Sequence, residues 1–202
     1  MRLGKRGKGA HNSRFFHPSM IMEITQIASV AAVCDIAFLP MTPIPLRPPL
    51  VSCGVLAFEP EGSLLLCHLT RTPWWDIPKG LQEAGESQAA AAAREAWEEC
   101  GLRLDPSAWI ALGRFLYRTG KDLCLFSVLI PHISPADLRC TSSFTDRHGV
   151  VRPEVDGYAW VRPAELGERC APALARVLLE KVNLDDVFGR VTRLAARHDG
   201  WS

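Results

Sequence analysis

Residues 88–100 contain five consecutive alanines and neither glycine nor proline, which predicts an α-helix. Gly101 follows at once, and glycine there favours the left-handed backbone that ends helices. At about 3.6 residues per turn, Glu95, Glu98 and Glu99 share one face of this helix. Apolar, strand-like runs lie on both sides of it in the sequence. The pattern therefore predicts an α/β layer fold that carries three carboxylates on a rigid element.

Three carboxylates this close stay ionised together only beside a cation, because like charges raise one another's pKa. Oxygen ligands and an incomplete protein shell suit Mg²⁺, which keeps waters and takes further ligands from substrate phosphates. Arg94, beside Glu95 and one turn before Glu98, is placed to orient a carboxylate. A glycine-containing loop with Lys79 precedes the helix and brings backbone groups towards a phosphate or metal. The competing interpretation is a solvated acidic face of a surface helix.

The order of charged residues and glycines through this loop and helix resembles the Nudix box. The seven fixed positions of that motif are filled at its spacing, by Gly80, Glu86, Arg94, Glu95, Glu98, Glu99 and Gly101. One departure is Ala96, where the family usually has a larger aliphatic side chain. The resemblance extends from about residue 50 to about residue 182. It implies the Nudix fold, a mixed β-sheet sandwiched between α-helices.

The same resemblance implies roles for the residues of the box. The metal ligands would be three carboxylates and one backbone carbonyl, from Glu95, Glu98, Glu99 and Gly80. The metal would be Mg²⁺, with Mn²⁺ as an alternative. Arg94 would act with Glu86 to hold the loop and the helix in register. The expected activity is hydrolysis of a diphosphate linkage by attack of water on phosphorus, with positioning and charge neutralisation supplying most of the catalysis.

Two further segments resemble particular Nudix hydrolases. Residues 75–80 resemble the sequence ahead of the box in hydrolases of dinucleoside polyphosphates, where Pro-Lys-Gly is common. Residues 154–160 resemble the segment that supplies one more glutamate near the metals in asymmetric diadenosine tetraphosphate hydrolases. Glu154 is therefore the candidate general base or outer metal ligand, the alternative being an ordinary exposed loop glutamate. The expected substrate is a dinucleoside polyphosphate or another nucleoside-diphosphate derivative.

Three residues are candidates for substrate binding. Lys79, in the loop ahead of the helix, is a candidate to contact a phosphate. Tyr117 is a candidate to stack on an adenine, although an aromatic residue on a strand more often belongs to the core. Lys121, together with Arg118, is a candidate to reach distal phosphates.

The charge distribution argues against a nucleic-acid-binding surface. The net charge is +1, but five basic residues and no acidic ones fall within the first 19 positions, so the rest of the chain is acidic. A nucleic-acid interface built on bulk charge needs an excess of Lys and Arg. The charge balance therefore argues against a nucleic-acid partner, and the Nudix resemblance implies a small-molecule nucleotide substrate. No apolar run is long enough for a membrane span, and the sequence leaves monomer and homodimer open.

The seven cysteines are scattered and never form a Cys-x-x-Cys pair. This spacing predicts neither a zinc site nor a disulfide framework. Several of them lie within apolar runs, where a free thiol behaves as a small core residue. Reduced, structural cysteines predict a cytoplasmic protein.

One domain is expected, over residues 49–184. Residues 1–48 form a basic tail and a proline-rich linker that are predicted to be disordered, and residues 185–202 form a C-terminal tail. The elements expected within the domain, besides the central helix, are a hairpin of 51–58 with 63–69, a hairpin of 112–118 with 123–131, an irregular segment at 132–153, a short strand at 158–161 and a final helix at 171–182.

Two other functions compete with hydrolysis of dinucleoside polyphosphates. An RNA 5′ pyrophosphohydrolase would use the same box but needs a basic track for the RNA, which the acidic body lacks and only the basic tail could supply. A non-catalytic Nudix-fold module that binds nucleotides or regulates would be expected to lack box glutamates. None is missing, so the sequence favours the enzyme.

Overall fold

The computed structural model describes residues 48–199. Within these residues the strands are β1 (Leu50–Phe58), β2 (Leu64–Leu69), β3 (Trp75–Asp76), β4 (Lys79–Leu81), β5 (Ile110–Arg118), β6 (Lys121–Leu129), β7 (Ser143–Thr145), β8 (Val151–Pro153) and β9 (Val155–Val161). The α-helices of the same range are α1 (Gln88–Cys100), α2 (Leu166–Arg169), α3 (Pro172–Glu180) and α4 (Leu184–Asp199). The predictions for the N-terminal tail and linker concern residues that lie outside this range, apart from residue 48.

The main sheet is mixed and is organised around β1. This strand runs parallel to β6 along its whole length, while β4 pairs antiparallel with it at Ser52–Gly54. Its residues from Cys53 onwards are buried, as expected for a central strand covered on both faces. The predicted hairpin of 51–58 with 63–69 is therefore wrong for most of its length, because β1 and β2 pair only at Phe58 and Leu64. β2 instead pairs with β3 and β9.

Helices cover both faces of this sheet. On one face, Cys53, Val55 and Ala57 of β1 pack against the buried alanines of α1. On the other face, Leu56 and Phe58 belong to a cluster that includes buried residues of α3 and α4. Alternate residues of one strand thus serve two hydrophobic layers. This arrangement confirms the predicted mixed sheet between α-helices.

The second predicted hairpin is present, formed by β5 and β6 around a tight turn at Thr119 and Gly120. Gly120 has φ +71°, a backbone conformation that favours glycine over residues with a side chain. The predicted irregular segment at 132–153 contains a second, two-stranded sheet of β7 and β8. The expected short strand at 158–161 begins earlier, at Val155. Of these strands, β7 and β8 pair with each other, while β9 pairs with the distant β2.

As far as residue 199, the segment predicted as a C-terminal tail is a folded helix. The expected helix at 171–182 corresponds to α3, but α4 follows it and packs Leu184, Val187 and Val191 into the core. These residues recur at the spacing of one helical face, so an amphipathic helix covers the sheet where a tail was expected. Among the described residues, none of the helices combines the length and apolar character that crossing a bilayer requires.

Candidate active site

Local signals fix both ends of α1. Ser87 caps its first turn, since the hydroxyl accepts a hydrogen bond from the Ala90 amide at 3.1 Å. Gly101 ends it with φ +73°, donating its amide to the Trp97 carbonyl at 2.8 Å. The alanine face packs on the sheet, with Ala92 and Ala96 fully buried. This packing fixes the rotation of α1 and turns Glu95 and Glu99 towards the loop around β4.

Gly80, in β4, lies directly against the carboxylate of Glu95. A Cβ atom placed on Gly80 would come within 2.0 Å of Glu95 Oε1, so the carboxylate would have to move from its present position. Pairing with Cys53 of β1 holds the backbone of Gly80 in the sheet. Only glycine therefore allows the strand backbone and this carboxylate to lie so close together.

Arg94 joins the loop ahead of α1 to the carboxylates of the helix. Its guanidinium donates to both oxygens of Glu86, at 3.1 and 3.2 Å, and to the backbone carbonyl of Leu81 at 2.8 Å. It also donates to Glu95 at 2.8 Å and to Glu98 at 3.0 Å. Hydrogen bonding to Arg94 lowers the pKa of Glu86. One planar cation thus sets the distance between the loop and the acidic face of the helix.

Two of the three helix carboxylates are buried. Burial raises the pKa of Glu95 against the opposing effect of Arg94, and the nearby Glu154 carboxylate adds to the rise. Burial also raises the pKa of Glu99 to about 8, although the Lys79 ammonium acts in the opposite direction. Glu99 accepts the Lys79 amide at 2.9 Å, and the Tyr158 hydroxyl donates to the Glu99 carbonyl at 2.7 Å. These carboxylates are held beneath the loop, where the loss of hydration destabilises their charged forms.

The third carboxylate, Glu98, lies further out, with 37% of its side chain exposed. Within residues 48–199, no three acidic, cysteine or histidine side chains converge as a ready metal cluster. The guanidinium of Arg94 stands between Glu95 and Glu98, and Glu99 is bound to the Lys79 amide. The three glutamates share one helix face as expected, but here a protein cation and an amide are their partners.

The structure places Lys79 and Tyr117 differently from the sequence prediction. The Lys79 ammonium forms an ion pair with Asp76 at 2.8 Å and lies 6.0 Å from the centre of the Tyr117 ring. Burial lowers the pKa of Lys79, but the combined effect of Asp76, Tyr117 and Glu99 is larger and leaves the pKa raised. The side chain is therefore not available to a substrate phosphate while this pair is closed. Sequence reasoning missed Asp76, whose spacing of three from Lys79 was the available signal.

Tyr117 is a core residue. It is 1% exposed and belongs to the hydrophobic cluster beneath the sheet. The Arg118 guanidinium lies 4.9 Å from its ring centre, in addition to Lys79. The ring has no exposed face on which a base can stack, so the prediction of a stacking role is wrong and its core alternative holds.

Lys121 and Glu154 remain candidates beside the carboxylates. Lys121 is half-buried, and burial together with the charges of Lys79 and Arg118 lowers its pKa. Glu154 lies between β8 and β9, near enough to Glu95 to affect the pKa of that carboxyl. The structure thus places a cationic group and a further carboxylate near the acidic face of α1.

The sequence model of the NUDIX domain matches residues 48–182, which cover the main sheet, α1 and α3. The chain belongs to the NUDIX family. This membership confirms the prediction of a Nudix hydrolase. Hydrolases of this family generally use divalent metal ions, and the NUDIX domain binds small nucleotide substrates.

Several known proteins are similar to this chain. The 17.7 kDa protein in the e-segB intergenic region of Enterobacteria phage T4 is 38% identical over 139 residues, covering 63% of this chain and 92% of the phage protein. Phosphatase NudJ of Escherichia coli is 34% identical over 89 residues, covering 42% of this chain and 56% of NudJ. The NUDIX domain of Shewanella oneidensis NrtR, solved with ADP ribose, has a TM-score of 0.50 at 14% identity and covers 71% of this chain and 90% of that chain. That likeness shows the fold.

The raised pKa of Glu99 predicts a pH-dependent stability for this NUDIX hydrolase without metal. The folded pKa of about 8 exceeds the ordinary value of 4.5, so the contribution of Glu99 is fully present below pH 4.5 and is lost as pH rises towards 8. The loss is at most about 1.4 kcal/mol per pH unit. The amide of glutamine does not ionise in this range. In EDTA, the melting temperature of Glu99→Gln minus that of the wild type should therefore increase from pH 5 to pH 8. If this difference in melting temperature stays constant across the range, the raised pKa assigned to Glu99 is wrong.

Proposed function

We propose that this NUDIX hydrolase is a Mg²⁺-dependent enzyme, with Mn²⁺ as an alternative, that cleaves a phosphoanhydride linkage by attack of water on phosphorus. The proposed substrate is a dinucleoside polyphosphate or another nucleoside-diphosphate derivative. The observation that carries the proposal is the set of hydrogen bonds from Arg94 to Glu86, Glu95 and Glu98, which holds the acidic face of α1 under the Gly80 backbone.

The residues present fit a hard divalent cation. Every side-chain donor in the set is a carboxylate oxygen, which Mg²⁺ prefers over nitrogen or sulfur. Burial raises the pKa of Glu95 and Glu99, and a cation beside them would favour their ionised forms. Glu95, Glu98 and Glu99 would hold the metal together with the Gly80 carbonyl. When bound, the metal supplies charge neutralisation for the phosphates and activation of a water molecule.

The protein groups around this set have separate tasks. Arg94 and Glu86 keep the loop and the helix at a fixed distance, which supports the ligands without contacting the substrate. Glu154 is proposed to accept a proton from the attacking water or to act as an outer ligand, because its charge acts on Glu95. Lys121 is proposed to contact a distal phosphate, since Lys79 is engaged by Asp76.

The choice of substrate rests on the sequence of the loops. Residues 75–80 and 154–160 both resemble segments of dinucleoside polyphosphate hydrolases. RNA 5′ pyrophosphohydrolase activity and nucleotide binding without catalysis are the competing functions. The presence of every box carboxylate favours catalysis over binding alone. We also propose a cytoplasmic location, since all six cysteines within residues 48–199 are free thiols.

The test is a panel of substrates incubated with Mg²⁺ and resolved by chromatography. It contains diadenosine tetraphosphate, ADP-ribose, 8-oxo-dGTP, NADH and 5′-triphosphorylated RNA, each also incubated with EDTA. We expect diadenosine tetraphosphate to yield ATP and AMP with Mg²⁺ and no products with EDTA. Preferential cleavage of another compound would replace the proposed substrate, and an inactive protein that still binds one of these nucleotides would establish a binding module.

A further inference from the structure

The β7–β8 hairpin connects α1 with Glu154. The amides of Thr141 and Ser142, just before β7, donate to the Glu98 carbonyl at 2.7 and 3.2 Å. At the other end of the hairpin, the Glu154 amide donates to the Ser142 carbonyl at 3.3 Å, and the Glu154 carbonyl accepts the Thr70 amide at 3.0 Å. The backbone of Glu154 is therefore held between this hairpin and the loop that follows β2.

Asp146, at the tip of the hairpin, accepts four hydrogen bonds from the hairpin and from a neighbouring loop. One carboxylate oxygen accepts Arg71 Nη1 and Arg152 Nε, each at 2.8 Å. The other accepts the amides of His148 at 2.9 Å and Val150 at 3.0 Å. Only 5% of the Asp146 side chain is exposed. One carboxylate thus orders the turn, the second strand and a neighbouring loop.

Arg71 links Asp146 to the segment that holds Glu154. It follows Thr70 directly, and its φ of +64° is the only positive value among the described residues other than glycine. A side chain in this conformation costs energy, which the surrounding contacts must offset. The ion pair with Asp146 is the contact that the Arg71 side chain makes. It fixes the loop after β2 against the hairpin.

Backbone hydrogen bonds to Glu98 and Glu154 hold the base of the hairpin, and few other contacts hold its strands and tip. β7 and β8 share three residue pairs, and a two-stranded hairpin of this size is marginal by itself. Val150 and Val151 are exposed at 45% and 67%, so they supply no hydrophobic core. The position of the hairpin consequently depends on its polar contacts.

We propose that Asp146 is a positioning residue, which through Arg71 and Arg152 fixes the β7–β8 hairpin against the loop after β2 and so places Glu154 beside the acidic face of α1. The inference rests on the proposed function, in which Glu154 acts on the attacking water or as an outer ligand. Asp146 itself contacts neither Glu95 nor Glu98 and acts only through the backbone that carries Glu154.

A double-mutant cycle tests this role, with diadenosine tetraphosphate and Mg²⁺ as the assay. Asp146→Ala should lower kcat about 10-fold with KM within about 2-fold, because a small misplacement of a reacting group is costly. In a Glu154→Gln background, the same change should have no further effect. The matched control is Glu165→Ala, which removes a carboxylate paired with Arg162 and Arg169 and should leave kcat unchanged. Equal losses in both backgrounds, or an unchanged kcat in Asp146→Ala, would overturn the inference.

A second variant and a measurement that needs no substrate extend the test. Arg71→Gly keeps the positive φ but removes the ion pair, and it should lower kcat in the same background-dependent manner. Amide hydrogen exchange should become faster over residues 141–154 in Asp146→Ala, with α1 unchanged. Unchanged exchange in the hairpin would overturn the inference even for an inactive protein. Failure of the proposed function appears instead as a wild-type protein that cleaves no member of the panel.

Discussion

Glu98→Gln is expected to lower metal-dependent turnover by about 10³-fold, with a melting temperature close to that of the wild type. Glu98 is the most exposed of the three helix carboxylates, and the described contact of its side chain is the one with Arg94. The substitution keeps the shape of the side chain and removes its charge. Because little packing is lost, the effect should fall on the metal and on the rate. Turnover and thermal melting, measured on the same preparation, separate the two.

The control for this substitution is Glu168→Gln, on the exposed surface of α2. It makes the same chemical change away from α1 and should leave the rate unaltered. A Glu98→Gln variant that hydrolyses the substrate at the wild-type rate would remove Glu98 from the metal site. A variant that melts far below the wild type would show that Glu98 has a structural role.

Gly80→Ala is expected to reduce both stability and activity. The new Cβ would lie 2.0 Å from the Glu95 carboxylate, and the strand cannot retreat, because Gly80 pairs with Cys53 of the central strand. Forcing one methyl group into a packed site costs about 1–3 kcal/mol. Displacement of Glu95 should also lower turnover by about 10²-fold. Urea unfolding and the hydrolysis assay measure the two effects.

Gly167→Ala, in α2, is the matched control for the added methyl group. A Cβ at Gly167 would have Leu179 Cδ1 as its nearest neighbour, at 3.5 Å, which is an ordinary contact. Because alanine favours a helix more than glycine does, this variant should be at least as stable as the wild type and should react at the same rate. If Gly80→Ala also behaves like the wild type, either the backbone of β4 or the side chain of Glu95 moves without cost, and the close approach does not define the site.

The sequence alone predicts the parts of this protein that depend on local patterns. The alanine run and Gly101 predict α1 with its correct limits, and the helical repeat places Glu95 and Glu99 on one face. The turn at Gly120 predicts the hairpin of β5 and β6. In each case the residues that decide the structure lie within a few positions of one another, so neither the sheet nor the opposite helix layer has to be known.

The remaining features depend on contacts between distant residues. The pairing of Cys53 with both Gly80 and Cys124 could not be read from β1 itself. Tyr117 is of a residue type that can stack on a base. Its side chain is nevertheless buried, because it packs in the cluster that includes the helices on that face of the sheet. The role of Asp146 likewise requires the hairpin and the loop after β2 to be brought together. The sequence around each of these residues does not indicate its distant partner.

The pairing of β1 has a consequence for the synthesis of this protein. β1 has its full-length partner in β6, far along the chain, and the helix α4 that covers one of its faces is completed later still. Sheets built from such distant pairs form slowly, and apolar strands are prone to aggregate until they pair. A growing chain therefore exposes this apolar strand from the moment the strand leaves the ribosome until almost the whole domain has been synthesised. We expect chaperones to protect this segment first.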